Sequence, residues 1–173
     1  MRDTEPSTRM EPPPALQDIP LTPVEPGYRH ALRVGWALTV IPVVIGAVAV
    51  DRLIISNETG FGGFLTVASV LLAVMLVVVT PQRQYRNWGY TLGSDALRVA
   101  RGYLFHTDTI VPFVRVQHID VGQGPVERMF GVSHLVVHTA GTDNSIVTLP
   151  GLTPAAASAM RDTIRSQIIS DFA

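Results

Sequence analysis

Two apolar runs decide the fold: VGWALTVIPVVIGAVAV at residues 34–50 and FGGFLTVASVLLAVMLVVV at residues 61–79. Neither run contains Asp, Glu, Lys, Arg or His, and only ten residues separate them. An α-helix needs about 17–25 apolar residues to cross the roughly 30 Å of hydrocarbon in a bilayer. The sequence therefore predicts a transmembrane hairpin over residues 29–82, with helices at about 32–55 and 60–80.

The alternative is a pair of core helices buried in a soluble protein. Helices that are apolar all round need a large surrounding structure, and a chain of 173 residues leaves too little sequence to supply one. We therefore favour the membrane hairpin. Pro42 predicts a kink in the first helix. Small residues predict helix packing positions in the second half of the hairpin: Gly62, Gly63, Ala68 and Ala73.

Arginine placement predicts the orientation of the hairpin. Two arginines lie just before the first run and two lie just after the second, whereas the connecting segment holds one arginine opposed by two acids. Because positive residues are enriched on the cytoplasmic side of membrane helices, both termini are expected in the cytoplasm. The flanking residues are Arg29, Arg33, Arg83 and Arg86, and those between the helices are Asp51, Arg52 and Glu58.

Composition excludes several classes of function. The formal net charge is −1, so the chain has no general electrostatic preference for nucleic acid. Cysteine is absent, which excludes disulfides, thiolate metal sites and a cysteine nucleophile. Residues 1–28 are rich in proline and poor in large apolar side chains, and they are predicted to form a disordered tail, with a docking role left open.

Residues 85–172 are different in kind and predict one small domain. Apolar and polar residues alternate there with a period of two, which is typical of half-buried antiparallel strands. Thr153 and Pro154 are good first residues for a closing amphipathic helix. The fold class is therefore a two-helix hairpin plus an α+β, mainly β, bent sheet or partial barrel capped by a C-terminal helix. The predicted strands are 85–92, 96–101, 103–111, 114–121, 134–139 and 145–149, with a helical turn or loop at 126–130.

No pattern predicts catalysis, a cofactor or a metal site. His134 and His138 share a strand face but lie about 13 Å apart, too far for one zinc ion. Pairing of either with His106 or His118 depends on a sheet register that the sequence leaves open. Ser133 and His134 are adjacent and point to opposite faces, and no nucleophile elbow or phosphate loop is present.

Four polar residues form the candidate site: Arg115, Gln117, Asp120 and Arg128. The structural interpretation is an Arg–Asp pair that fixes the corner between a strand and the following loop. The functional interpretation is a recognition patch for a partner peptide or a lipid headgroup. Acids and arginines balance from Tyr85 onward, so the basic cluster typical of anionic-lipid binding is absent.

The stretch from Val111 to Gly131 and the tetrapeptide His138-Thr-Ala-Gly141 carry a resemblance. They resemble the bacterial pleckstrin-homology-like family of the YdbS type, whose members have two membrane helices followed by one such domain. Val116 departs conservatively from the commoner isoleucine. The resemblance implies a pleckstrin-homology-like barrel, a bacterial inner-membrane location and no catalytic activity. Its most distinctive positions are Pro112, Arg115, Gln117, Gln123, Gly124, Pro125, Arg128, Phe130, Gly131 and Thr139–Gly141.

Two hypotheses for function follow. The first is a non-enzymatic interaction or assembly module, anchored at the cytoplasmic face of the membrane. It would associate with copies of itself or with related membrane proteins, in support of envelope homeostasis or stress resistance. The second is a lipid-handling protein whose domain binds a headgroup. The hairpin already supplies contact with the bilayer, so lipid recognition by the domain is not needed for membrane attachment.

Overall fold

The computed structural model describes residues 16, 19–55, 63–102, 106–140 and 146–171. Two long helices come first: α1 (Pro26–Val50), extended by a π-helical turn at Asp51–Ile55, and α2 (Phe64–Arg86). The strands are β1 (Thr22–Pro23), β2 (Gly89–Leu92), β3 (Ala96–Gly102), β4 (His106–Pro112), β5 (Val116–Gly122), β6 (Ser133–Thr139) and β7 (Ile146–Leu152). A 3₁₀ turn at Phe113–Arg115 links β4 to β5, a short helix α3 (Pro125–Met129) follows β5, and α4 (Pro154–Asp171) ends the domain.

The described strands form two antiparallel sheets around one core, where the alternating sequence predicted antiparallel strands in one bent sheet or partial barrel. The described strands are ordered β1-β2-β3-β4 in one sheet and β5-β6-β7 in the other. Helix α4 contributes Ala157, Met160 and Ile164 to the core between them. Thr153 caps this helix as predicted, because its Oγ1 accepts a hydrogen bond of 3.1 Å from the Ala156 N–H. The predicted α+β architecture is confirmed.

The predicted disordered tail is wrong for its last ten residues. Thr22 and Pro23 pair with Tyr90 and Gly89 at the edge of the first sheet, and helix α1 starts at Pro26. Val24 is almost fully buried in the domain core. Proline is tolerated in edge strands and in the first turn of a helix, so a proline-rich composition did not exclude structure here. Residues 1–15 and 17–18 lie outside the described residues.

Helix α1 is joined closely to the domain at its first turn. The Glu25 N–H donates a 2.7 Å hydrogen bond to the Gly151 carbonyl. Gly151 has φ +72°, and a Cβ added there would lie 2.8 Å from Cβ of Tyr28. Tyr28 itself packs edge-on against Trp88, with the ring centroids 6.3 Å apart. One continuous helix therefore runs from the domain core into the apolar run.

Helix α2 extends further than expected at its C-terminal end, which lies next to the domain. It continues through Pro81 to Arg86, so the predicted strand at 85–92 is wrong in its first part and starts at Gly89. Tyr85 and Trp88 are partly buried against the domain core, which stabilises the added helical turn. The predicted strand at 114–121 is also shorter, because Phe113–Arg115 form a 3₁₀ turn.

Beyond their contacts with the domain and with each other, the two long helices are largely exposed. Only 6% of the most apolar window of α1 and 11% of that of α2 are buried inside the described structure. Core helices of a soluble protein would be mostly buried, so this exposure favours a lipid environment. Both helices are long and apolar enough to cross a membrane.

Candidate functional site

The predicted corner residues lie near one another in sequence but do not form the predicted pair. Arg115 lies in the 3₁₀ turn, Gln117 and Asp120 lie on β5, and Arg128 lies on α3; all four side chains are exposed. Among the described residues, the ion-pair partners of Asp120 are histidines and not arginines. The expected Arg–Asp pair is therefore wrong. Arg115 also does not share a strand face with Gln117, because the strand begins one residue after it.

Asp120 instead joins two histidines on neighbouring strands. His118 is the register partner of His138 across β5 and β6, and their ring centroids are 5.9 Å apart. His118 Nε2 lies 2.8 Å from Asp120 Oδ1, and His138 Nε2 lies 3.4 Å from Asp120 Oδ2. Within the described parts of the chain, no group of three or more His, Asp or Glu residues could hold a metal ion.

The corner after β5 is fixed by Glu127, which the sequence interpretation had not selected, and by Gln123 and Gly124, which it had named only as distinctive positions of the resemblance. The Glu127 carboxylate accepts a 2.7 Å hydrogen bond from the Gly124 N–H and lies 2.8 Å from His134 Nδ1. The Gln123 side-chain amide donates to the Val132 carbonyl at 2.8 Å. Gly124-Pro125 followed by Glu127 is a helix-start pattern that could have identified this carboxylate.

A groove runs between strand β5 and helix α4. It has a volume of about 480 Å³, and we call it the β5–α4 groove. Strand β5 is the edge of its sheet among the described strands. The groove is lined by Val116, Gln117, His118, Ile119, Arg161, Arg165, Ile168 and Ile169.

A second cavity lies where the two long helices meet the domain. It has a volume of about 470 Å³, and we call it the junction pocket. Helix α1 forms one wall, Gln84 near the end of α2 forms another, and helix α3 forms the third. Its lining residues are Tyr28, Ala31, Leu32, Gly35, Trp36, Thr39, Gln84, Val126 and Glu127.

The predicted packing positions of the hairpin have different environments. Ala73 faces α1 and lines two shallow apolar grooves between the helices, of about 380 and 170 Å³. Ala68 is exposed, and Pro42 lies exposed inside α1, which continues past it to Val50. Gly63 precedes α2 with φ +106°. Gly62 lies outside the described residues.

The far end of the hairpin is closed by a buried carboxylate. Asp51 is 0% exposed, and its Oδ2 accepts hydrogen bonds from the Gly63 N–H at 2.9 Å and the Thr66 hydroxyl at 2.7 Å. These are donors of the first turn of α2. Asp51, the first residue of the π-helical turn that extends α1, therefore caps the second helix from the end of the first.

One ion pair on the first sheet lowers the pKa of an aspartate, Asp108. Arg98 donates hydrogen bonds to Asp108 from Nε, at 3.0 Å, and from Nη2, at 2.6 Å. These bonds, together with the positive charges of Arg98 and His106, hold the pKa of Asp108 below its usual value against a smaller effect of burial. The pair joins neighbouring strands β3 and β4.

Comparisons with known proteins agree with this architecture. Residues 35–168 match the family model described as Bacterial PH domain, so the match includes most of both long helices as well as the sheets. The chain is 30% identical, over 122 residues, to the transmembrane protein YdbS of Bacillus subtilis (strain 168). That alignment covers 70% of this chain and 75% of the relative.

No solved structure matches the chain significantly. The family match nevertheless covers most of the hairpin and the domain together, in the order in which the structure shows them. The exposed apolar helices agree with the transmembrane character of the relative. The chain therefore belongs to the bacterial PH domain family and is a YdbS-like membrane protein with two candidate membrane-spanning helices.

Proposed function

We propose that this protein is a non-enzymatic interaction module that presents its PH-like domain at the cytoplasmic face of the bacterial inner membrane. The domain binds an extended acidic segment of a partner protein in the β5–α4 groove. The observation that carries the proposal is the position of this groove, which runs along an edge strand and beside the exposed side of helix α4.

An edge strand can accept one further strand by backbone hydrogen bonding. Alternate side chains of the added segment would meet the groove wall formed by α4. Ile168 and Ile169 supply apolar contact there, Arg165 supplies positive charge, and Arg161 adds a guanidinium that also pairs with Asp162 at 2.8 Å. This combination favours an extended segment that carries an acidic residue beside an apolar one.

We further propose that both long helices span the bilayer, with both termini in the cytoplasm. The four arginines next to the domain support this orientation through the positive-inside rule. Trp36, which lies just inside the first apolar run, is typical of a membrane interface.

The orientation is testable by labelling, because the natural chain contains no cysteine. A membrane-impermeant maleimide should label Ser56→Cys, between the helices, in cells whose inner membrane is intact and whose outer layers the reagent can pass. Ala155→Cys, exposed on α4, should be labelled only after the inner membrane is permeabilised. The reverse pattern would overturn the proposed orientation.

The partner is proposed to be a second copy or a related membrane protein. A photo-crosslinking amino acid at Gln117, in the groove, should capture a defined partner from intact cells, whereas one at Ile110, exposed on β4, should not. Arg165→Glu should weaken the crosslink, and Arg128→Glu, outside the groove, should leave it unchanged. Equal crosslinking from both positions, or equal yield with Arg165→Glu, contradicts the proposal.

Mass spectrometry of the crosslinked product then identifies the partner. A product of twice the chain mass supports self-association, and a different membrane protein supports a mixed assembly. A membrane-anchored interaction module fits a role in envelope homeostasis or stress resistance, and the identity of the captured partner tests that role directly.

A further inference from the structure

We propose that the junction pocket holds a phospholipid with an amine-bearing headgroup, taken from the leaflet on the side of the domain. This site is separate from the β5–α4 groove and shares no lining residue with it. A lipid of one class would then be a bound structural component at the place where the hairpin meets the domain.

The location of the pocket fits an amphiphile. Tyr28, at one end, belongs to the domain core, whereas Gly35, Trp36 and Thr39, at the other end, lie in the uncharged run of α1. Because α1 is one continuous helix, the pocket extends from the domain surface to the depth at which hydrocarbon begins. A lipid could enter it sideways from the bilayer without leaving the membrane.

The lining of the pocket also combines apolar and polar groups, as an amphiphile does. Ala31, Leu32 and Val126 provide apolar walls, and Gln84 and Glu127 provide polar groups. The pocket is open to its surroundings, and its volume of about 470 Å³ lies within the usual size range of small-molecule sites, so it can receive a headgroup and the first part of a chain.

The charge of the lining selects the headgroup. Glu127 is the charged residue among the described lining residues, which include no arginine or lysine. Its carboxylate is held in place by the Gly124 N–H and by His134, and its side chain is 18% exposed. A carboxylate has about four acceptor positions, so it can still accept from an ammonium group. An ethanolamine headgroup supplies such donors, whereas a headgroup that carries only phosphate and hydroxyls brings net negative charge against Glu127.

Two glycines of α1 provide a matched test. A Cβ added at Gly35 or at Gly46 would meet no described atom within 4 Å, so both positions tolerate a larger side chain. Only Gly35 lines the junction pocket. Gly35→Leu should therefore fill the pocket, and Gly46→Leu is the control with the same chemistry on the same helix.

The full-length protein would be purified in mild detergent, supplied with defined phosphatidylethanolamine or phosphatidylglycerol, and examined by native mass spectrometry. Wild type and Gly46→Leu should bind one phosphatidylethanolamine, with a preference over phosphatidylglycerol of roughly tenfold or more. Gly35→Leu should lose this binding by at least about tenfold. Glu127→Gln, checked for native circular dichroism, should still bind lipid but lose the preference.

Several outcomes would overturn the proposal. Retention of phosphatidylethanolamine by Gly35→Leu at the wild-type level would show that lipid binds elsewhere. Equal binding of both lipids by the wild type would show that Glu127 does not select the headgroup. A dimer that Gly35→Leu abolishes, with no lipid bound, would assign the pocket to a second copy. Arg165→Glu should leave lipid retention unchanged, so failure of the groove proposal is distinguishable from failure of this one.

Discussion

At the scale of single residues, contacts between distant parts of the chain decide which positions matter. Glycine is required at residue 151 because a positive φ coincides there with close approach of Val24 and Tyr28. Sequence patterns placed His118 and His138 on strands, but their pairing follows from register, which depends on the whole sheet. Glu127 was missed for a related reason, since its partner His134 belongs to a different element.

Gly151→Ala should destabilise the protein by about 3 kcal/mol, because it adds backbone strain and an overpacked contact. The matched control is Gly131→Ala, which has φ +66° but no described atom within 4 Å of the new Cβ. That control should cost only about 1 kcal/mol. Thermal unfolding of the full chain in detergent measures the difference, and equal losses would show that close packing of α1 against β7 is not important.

The Arg98–Asp108 pair should make stability depend on pH in the acidic range. The pKa of Asp108 is lowered in the folded protein, so its contribution is present above the unfolded pKa of about 3.9 and is lost as pH falls through the folded value. The Asp108 side chain is 32% exposed, so we expect an effect of no more than about 1 kcal/mol. Wild type should be more stable than Asp108→Asn at pH 7, and this gap should close as pH falls below about 3.9 and through the lowered pKa of folded Asp108. A gap that is constant with pH would contradict the assignment.

At the scale of elements, the apolar runs predicted both long helices correctly, whereas the helix ends were predicted poorly. The proline-rich composition suggested a tail as far as residue 28, yet Pro26 is helical, and the end of the second apolar run suggested a helix end at about residue 80, yet α2 continues through Pro81 to Arg86. The helix ends depend on contacts with the domain core, through Tyr28 at one end and Tyr85 at the other. Such contacts leave no local periodic signal in the sequence.

The stability of the end of the hairpin far from the domain should depend on the side-chain oxygen of Asp51, which accepts hydrogen bonds from the start of α2. Asp51→Ala leaves the Gly63 N–H and the Thr66 hydroxyl without this acceptor, and we expect a loss of about 1–2 kcal/mol. Asp51→Asn keeps a side-chain oxygen and should lose less than half of that. Unfolding in detergent, followed by limited proteolysis between the helices, measures the effect. If the alanine and asparagine variants are equally stable, then the carboxylate does not cap α2.

At the scale of the whole molecule, the hairpin and the domain are not two independent parts. Residues before the hairpin complete the sheet and the core of the domain that follows it. The sequence predicted both parts and their order, because each has its own hydrophobic period. It did not predict that they interlock, because β1 is only two residues long and is separated from its partner strand by the entire hairpin.

A fragment of residues 85–173 should therefore fold poorly by itself. It lacks β1 and the buried side chains of Val24 and Tyr28, and each such side chain contributes about 1.5–3 kcal/mol when buried. We expect broad, weakly cooperative unfolding by circular dichroism. A matched fragment in which residues 19–33 are fused to residue 85 through a Gly-Ser linker should recover a sharp transition. Cooperative unfolding of the shorter fragment at the same temperature would show that the first sheet does not need β1.

The continuity of α1 has a mechanical consequence. A helix of 25 residues is about 37 Å long; its first turn is packed into the domain, and most of its apolar window is exposed. Thinning or thickening of a bilayer changes the tilt of such a helix. A change of 20° at one end displaces the other by roughly 13 Å. In the membrane orientation that we propose, α1 would therefore act as a lever that converts a change in bilayer thickness into a change in the angle and height of the domain above the membrane.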